Sequence, residues 1–405
     1  MLELPATLTI EKLEEFIEKV NSSGAVQPLN LPIGKKNIAF GAIAMAVQAV
    51  NTWANVSTNK KILLTRPSKN EIQYLPSLVE VPYKFAAAMM SKDIFYSNDL
   101  TINVRREINN LASEAIDAQS NELFGQNHGR LCWYSFIDHS TKGFDSNFYL
   151  TSSLDHAEPR GLEQIRSIVS SMVYRSSSVA GGSVKLDDSS TDELGRIFYE
   201  LFINTHEHGS RDINRSKWLR PGNRMIYTYG INLSDSAVKN SQLNNKVLKE
   251  YINGLKASDK STRRFIELSI IDSGLGFYGR WLADHPEECS IKNADIKREY
   301  EIIKKCLKFR SSSTKDEIKG NGLPSVMASL TRLNGFMKIR SNRTSIYRDF
   351  NLEPYMFNLE DDCVFMDWET QKNCNDFITE CPNARGVSIT ILIPLSDRND
   401  LKEEN

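Results

Sequence analysis

Three short segments constrain this chain more than anything else in it: Glu200-x-x-x-Asn204 running on to Gly209, then Asp272-Ser273-Gly274-Leu275-Gly276, then Gly320-Asn321-Gly322-Leu323. The first falls in a helical pattern over 190–208, with Leu194, Ile197, Phe198 and Leu201 as its apolar stripe and Glu200 and Asn204 at the edge of that stripe. Spacing of four puts the carboxylate and the amide on one face, about one turn apart, where one can orient a water and the other can hold a hydrated cation. Solvated helix faces carry the same pair, so the spacing alone does not choose between the two.

The second segment follows Phe265-Ile-Glu-Leu-Ser-Ile-Ile271, a strand pattern that delivers Asp272 at its carboxyl end. A carboxylate there can accept a hydrogen bond from an exocyclic amine, and glycines beside it keep side chains away from a flat ring. Gly274-Leu-Gly276-Phe-Tyr-Gly279 also fits the dinucleotide pattern G-x-G-x-x-G. That fold needs its first glycine at the strand end and a second strand, ending in an acid, about 20 residues later. Here Asp272 and Ser273 intervene and 292–308 reads as helix, so the context is wrong. The third segment opens a helix whose Val326, Met327, Leu330 and Leu333 face inward, with Pro324 suited to its first turn. Free amides at such a start attract phosphate oxygens. The polar, basic stretch 309–320, which includes Lys315, suits either a flap over phosphates or a solvated loop.

Other chemistries are excluded by what the sequence lacks. It has no G-x-x-x-x-G-K-[ST], no G-x-S-x-G and no H-E-x-x-H. The six cysteines, Cys132, Cys289, Cys306, Cys363, Cys374 and Cys381, form no C-x-x-C pair, which predicts reduced structural thiols. With 50 Lys+Arg against 51 Asp+Glu, no whole-chain field draws the protein to nucleic acid or an anionic membrane, although a local basic patch stays open. Met1-Leu-Glu-Leu-Pro5 does not resemble a secretory signal, and the apolar run Phe40–Val50 is too short to span a bilayer. The expectation is a cytoplasmic protein with no membrane span.

The expected fold class is α/β (α+β), in two parts. Residues 1–160 read as an α/β amino-terminal domain of unknown role, with helices at 10–21 and 38–54 and strands at 61–65 and 130–137. Residues 161–185 read as a helix followed by a flexible Ser/Gly joint from Ser176 to Ser183. Residues 186–397 form a second α/β domain, with helices at 190–208, 292–308 and 323–333 and strands at 224–233, 264–271, 335–341 and 386–393. The stretches 234–262 and 350–383 read as surface insertions, and 398–405 as a polar tail.

Jointly and in order, over roughly 190–395, the three segments resemble the N, G1 and G2 boxes of the GHKL (Bergerat-fold) ATP-binding superfamily of gyrases, heat-shock chaperones, histidine kinases and MutL proteins. The resemblance implies a Bergerat α/β sandwich with a mixed sheet, ATP and Mg²⁺ as ligands, and slow hydrolysis to ADP driving a conformational or dimerisation switch. It implies Glu200 as the water-activating base, Asn204 as the Mg²⁺ ligand, Asp272 as the adenine reader, and Gly274 and Gly276 as the glycines beside the ring. Gly320, Asn321, Gly322 and Leu323 would end a lid and meet the phosphates, with Lys315 in that lid. Gly386-Val387-Ser388-Ile389-Thr390 resembles the last strand of the fold, where Ser388 is the candidate hydroxyl supporting the acid. Two departures are visible: Pro324 stands where kinases carry glycine, and Val387 where the strand usually has threonine.

Glu207, three residues after Asn204, resembles the acid of the hydrolysing members and favours an ATPase over a kinase of the same fold acting on Ser/Thr or His. A nucleotide-binding interaction module that never turns over is the third class. His156 reads as a turn histidine, and His206 and His208 as neighbours of the site. A protein partner or a homodimer is implied, in sensing, stress or defence systems of bacteria.

Overall fold

The computed structural model describes residues 1–32, 36–37, 40–65, 74–121, 130–140, 143–152, 157–179, 187–234, 245–255, 262–288, 295–308, 322–356 and 362–395. The amino-terminal half runs β1 (Leu2–Glu3), β2 (Thr7–Leu8), α1 (Ile10–Ser23), β3 (Leu29–Leu31), β4 (Lys36–Asn37), α2 (Ala42–Val56), β5 (Lys61–Leu64), α3 (Tyr74–Val79), α4 (Pro82–Met90), β6 (Asp93–Tyr96), β7 (Asp99–Asn103) and α5 (Arg105–Ser120). It continues as β8 (Leu131–Phe136), β9 (Tyr149–Ser152), β10 (Ala157–Pro159), α6 (Leu162–Val179), α7 (Asp188–Asn204), β11 (Arg224–Ser234), α8 (Lys246–Gly254) and β12 (Thr262–Ile271). The last part is α9 (Gly276–Asp284), α10 (Ile296–Leu307), α11 (Gly322–Arg332), β13 (Phe336–Asn342), β14 (Thr344–Asp349), β15 (Met366–Asp367) and β16 (Ala384–Pro394).

Alternation decides how the larger sheet is covered. Along β12 the residues Ile266, Leu268 and Ile270 enter one core, while Glu267 and Ser269 between them are buried on the opposite face. In β16, Ile389, Ile391 and Ile393 share the first core, and Ser388 and Thr390 alternate with them. Each strand therefore needs cover on both sides. Helices α6, α7 and α11 cover the apolar side through Ile165, Leu194, Phe198, Leu201, Val326 and Leu330. Helix α2 covers the other, and every side chain from Ala42 to Ala54 is buried.

The fold is mixed α/β. The seven-stranded sheet has the order β15-β14-β13-β16-β12-β11-β8, and the five-stranded sheet has the order β1-β3-β5-β6-β7. A mixed sheet was expected in the carboxyl-terminal part, yet every described pairing of the seven-stranded sheet is antiparallel. Its neighbours are either joined by reversals, as β13 and β14 are, or brought together by a long return, as β16 is. Parallel pairings occur in the amino-terminal sheet, where helices carry the chain back between strands.

Two boundaries differ from expectation. Strand β8 is the edge of the seven-stranded sheet, its Cys132, Tyr134 and Phe136 lying in the same core as α6 and α7, so a division at residue 160 cuts a strand from its sheet. Helix α6 runs on to Val179, through the first part of the expected joint, because Ser176 is buried and its hydroxyl meets the Thr228 hydroxyl on β11 (2.8 Å). The rest of that joint, to Ser183, lies outside the described residues. The insertion 234–262 contains α8, whose Leu248, Tyr251 and Ile252 pack against Phe336 and Leu392. Five cysteines are free thiols, and Cys289 lies outside the described residues. Among the described residues no helix is long and apolar enough to cross a membrane.

Candidate functional site

Helix α7 starts at an Asp187 cap, whose side chain accepts from the Ser190 amide (2.7 Å). Its outer edge is tied to α11 by Glu193, which takes Nε and Nη2 of Arg332, both at 2.7 Å. Gly195 lets α6 approach, since a Cβ there would stand 2.6 Å from Arg166 Cγ. One turn on, Glu200 and Asn204 are partly exposed, and among the described residues neither side chain has a hydrogen-bond partner. Burial raises the Glu200 carboxyl; Arg196 one turn earlier pulls it back and Glu207 pushes it further up.

Start of α11 and end of α7 meet here. A Cβ on Gly322 would lie 2.7 Å from Glu200 Oε2 and 3.7 Å from Asn204 Nδ2. Leu323, next along, is half-buried against the core beneath α7. The amides at the amino end of α11 thus stand beside a carboxylate and an amide that are unpaired among the described residues.

After Asn204 the chain widens into a π-type turn, Thr205–Gly209, and this brings Gly209 to Asp272. Three glycines from three segments close on that one acid. A Cβ on Gly209 would lie 2.5 Å from Asp272 Cγ, and one on Gly274 would lie 2.7 Å from the Gly209 carbonyl. Gly386, at φ +76°, has the Asp272 carbonyl oxygen where its Cβ would go. Asp272 Oδ1 accepts from the amides of Gly274 (2.8 Å) and Val387 (3.2 Å). Its other oxygen has no donor among the described residues. Burial pushes this carboxyl up to about 6, with the two amides opposing. It is a nearly buried acid with one oxygen fixed and one left over.

Gly276 has a different task. At φ +75° it opens α9 against the β13–β14 turn, where the Asn342 amide fills the space of a Cβ. Asn342 Nδ2 donates to the Leu275 carbonyl (3.0 Å), and the Phe277 amide donates to Ser341 Oγ (3.0 Å).

Ser388 does not join the acid. It pairs with Ile271 and Arg340 and lies on the same side of β16 as Thr390, which faces Gly41 at the start of α2. The residue on the acid's side is Val387, whose backbone alone reaches Asp272. Lys315, Gly320, Asn321 and His156 lie outside the described residues. His206 turns into an aromatic cluster, 3.2 Å from the Tyr149 hydroxyl and edge-on to Trp218, and burial lowers it to about 3. His208 is lowered to about 4 by burial and by Arg215. Both imidazoles are neutral near pH 7, which removes them as cationic phosphate contacts.

One residue that pattern reading missed organises the turn. Arg280, on α9, donates to the carbonyls of Arg211 (2.7 Å), Asp212 (2.9 Å) and His208 (3.3 Å). Beside it Arg215 makes a two-pronged pair with Asp284 (3.0 and 2.6 Å). Its partners Arg211, Asp212 and His208 lie about 70 residues earlier in the chain, so no local pattern pointed to it. A cavity of about 170 Å³ lies elsewhere, between α6 and α7 over Val173, Tyr174 and Leu194, and holds no charged group.

Together the elements define a mixed α/β protein in which Glu200, Asn204, Asp272 and the amino end of α11 lie on the side of the large sheet covered by α6, α7 and α11. Comparison with family models, curated proteins and solved structures finds no match to this chain.

Proposed function

We propose that the chain is a GHKL-type ATPase that binds ATP with Mg²⁺ and hydrolyses it slowly, as the timing step of a conformational or dimerisation switch. The seven-stranded sheet with α6, α7 and α11 on one side is then the Bergerat sandwich, and the amino-terminal part is the element that responds. One observation carries the reading: α7 and its widened end touch both other segments, Glu200 through Gly322 and Gly209 through Asp272. Segments 122 and 63 residues apart meet in the order that an adenine, a metal and a polyphosphate require.

The chemistry follows from the residues. Asp272 Oδ2 accepts from the exocyclic amine of adenine, while the two amides on Oδ1 hold the carboxylate in place. The absence of a Cβ on Gly209 and Gly274 brings backbone, not side chain, up to the base. Asn204 fits a magnesium ion, since its amide is unpaired, its carbonyl oxygen is a hard ligand, and phosphate oxygens and waters complete such a shell. Bound magnesium would offset the charge of the phosphates. Glu200, raised by burial, is a stronger base than a solvated carboxylate and takes the proton of the attacking water. The amides at the start of α11, beside Glu200, face the phosphate end.

A Glu200→Ala protein tests the assignment. Binding of ATP is retained and the release of free phosphate falls by about 10²–10⁴-fold, the usual worth of a positioned base. Unchanged release removes Glu200 from the chemistry, and transfer of label from ATP to a partner protein identifies a kinase instead.

A further inference from the structure

Helix α2 is apolar except on one line. Gln48, Asn51 and Thr52 follow the helical spacing of three and four, all fully or almost fully buried among alanines, Val47, Val50 and Trp53. Amides in such surroundings need partners, and theirs come from the far sheet. Gln48 Nε2 donates to the carbonyls of Arg340 (3.1 Å) and Gly386 (3.3 Å). Asn51 Nδ2 donates to the carbonyl of Asp272 itself (3.2 Å), and Thr52 Oγ1 accepts from the Arg385 amide (2.9 Å). Both amide oxygens, Gln48 Oε1 and Asn51 Oδ1, have no partner among the described residues. Two buried acceptors left bare mark these side chains as placed for what they donate.

What they hold is the frame of the acid. The Asp272 amide donates to the Val387 carbonyl (3.0 Å), and the Val387 amide returns to Asp272 Oδ1. Gly386 between them has no room for a side chain because the Asp272 carbonyl occupies that space. Asn51 therefore grips the one carbonyl whose position sets where the carboxylate stands, and Gln48 grips the glycine beneath it. At this end of β16 its pairing with β13 shifts register, between Ser341 and Asn342, so the ladder on that side fixes the strand less firmly.

We propose that Asn51, seconded by Gln48, is a positioning residue for Asp272, so that the amino-terminal part of the chain sets the reading of the adenine amine from the opposite side of the sheet. This rests on the nucleotide assignment made above. It also gives α2 a role: its displacement by a partner would loosen the acid without touching the ligand.

Two measurements on full-length Asn51→Leu test it. Leucine keeps the volume and removes the donor. Affinity for ATP falls about tenfold, the worth of one carbonyl hydrogen bond to a buried group, while affinity for inosine triphosphate, which lacks the amine, is unchanged. Where the wild-type protein prefers ATP, an equal fall for both nucleotides, or none for either, overturns the proposal, because a general loss of structure would not sort bases. In the ligand-free protein the amides of Gly274 and Val387 exchange with deuterium faster in the variant, while those of β11 do not. Unchanged exchange at both overturns it even if nothing binds, whereas a wild-type protein that holds ATP no better than inosine triphosphate, with local exchange still accelerated, defeats the adenine reading and leaves the positioning.

Discussion

The carbonyl oxygen of Asp272 occupies the place where Gly386 would carry a side chain, and Gly386 stands at φ +76°. Backbone meets backbone there, so neither can yield. Gly386→Ala forces a left-handed alanine against a fixed oxygen and lowers stability by about 2–4 kcal/mol, measured by urea unfolding. Gly254→Ala, whose nearest atom would be the Asn351 side-chain amide at 3.7 Å, an ordinary contact, serves as the mild control.

Glu14 on α1 and Arg340 on β13 make a two-pronged pair (2.9 and 3.0 Å), the arginine side chain being 3% exposed. Arg340 also donates to the carbonyls of Asn342 and Thr344, so it is not stranded when the acid is lost. Glu14→Gln therefore costs about 2 kcal/mol, less than the 3–5 kcal/mol of a fully orphaned buried charge. Unfolding followed by tryptophan fluorescence gives the number, and no loss would show that the pair does not hold α1 to the sheet.

Glu267 is buried beneath α2, accepting from the Gly41 amide (3.3 Å) and the Tyr227 hydroxyl (2.5 Å), and burial pushes it from 4.5 up to about 7. A raised carboxyl binds its proton more tightly in the folded chain, so stability is greatest below the unfolded value and is lost as pH climbs. Between about pH 4.5 and 7 the loss from this group is about 3 kcal/mol. Asp272, raised to about 6, adds a loss of the same sign. Glu267→Gln has no ionisable group and shows a shallower fall in denaturant midpoint over that range; an unchanged slope rejects the assignment.

Asp272 must be ionised to accept from an amine, so its titration near 6 predicts weaker ATP binding in acid. From pH 7 to 5 the affinity of the wild-type protein falls about tenfold more than that of Asp272→Asn, which cannot titrate, as expected for a group about one unit above the final pH. Parallel profiles in the two proteins would exclude the acid from recognition.

Much of this was legible from residue patterns. The stripe Leu194, Ile197, Phe198 and Leu201 located α7, and strong apolar alternation located β11, β12 and β16 within a residue or two. The contacts of Glu200 with Gly322 and of Gly209 with Asp272 were not legible, because each joins segments that only the sheet order brings together. Helix α9 was not expected, since Gly276 and Gly279 weigh against a helix that Trp281 and Arg280 secure through tertiary contacts. Ser388 was chosen for its hydroxyl, but a strand's period of two puts neighbours on opposite faces, and a one-residue error turns the side chain away. Nothing in the sequence shows what Gln48 and Asn51 hold, because their partners are carbonyls some 220–340 residues further along.

The central claim is that α7, the Asp272 turn and the start of α11 hold one adenine nucleotide. Titration calorimetry of ATP into the full-length protein in magnesium buffer tests it most directly. One ATP bound per chain, with binding at neutral pH weakened about tenfold or more in Asp272→Asn and its magnesium dependence lost in Asn204→Leu, is the predicted result. No heat from the wild-type protein, or equal binding by all three, would contradict it.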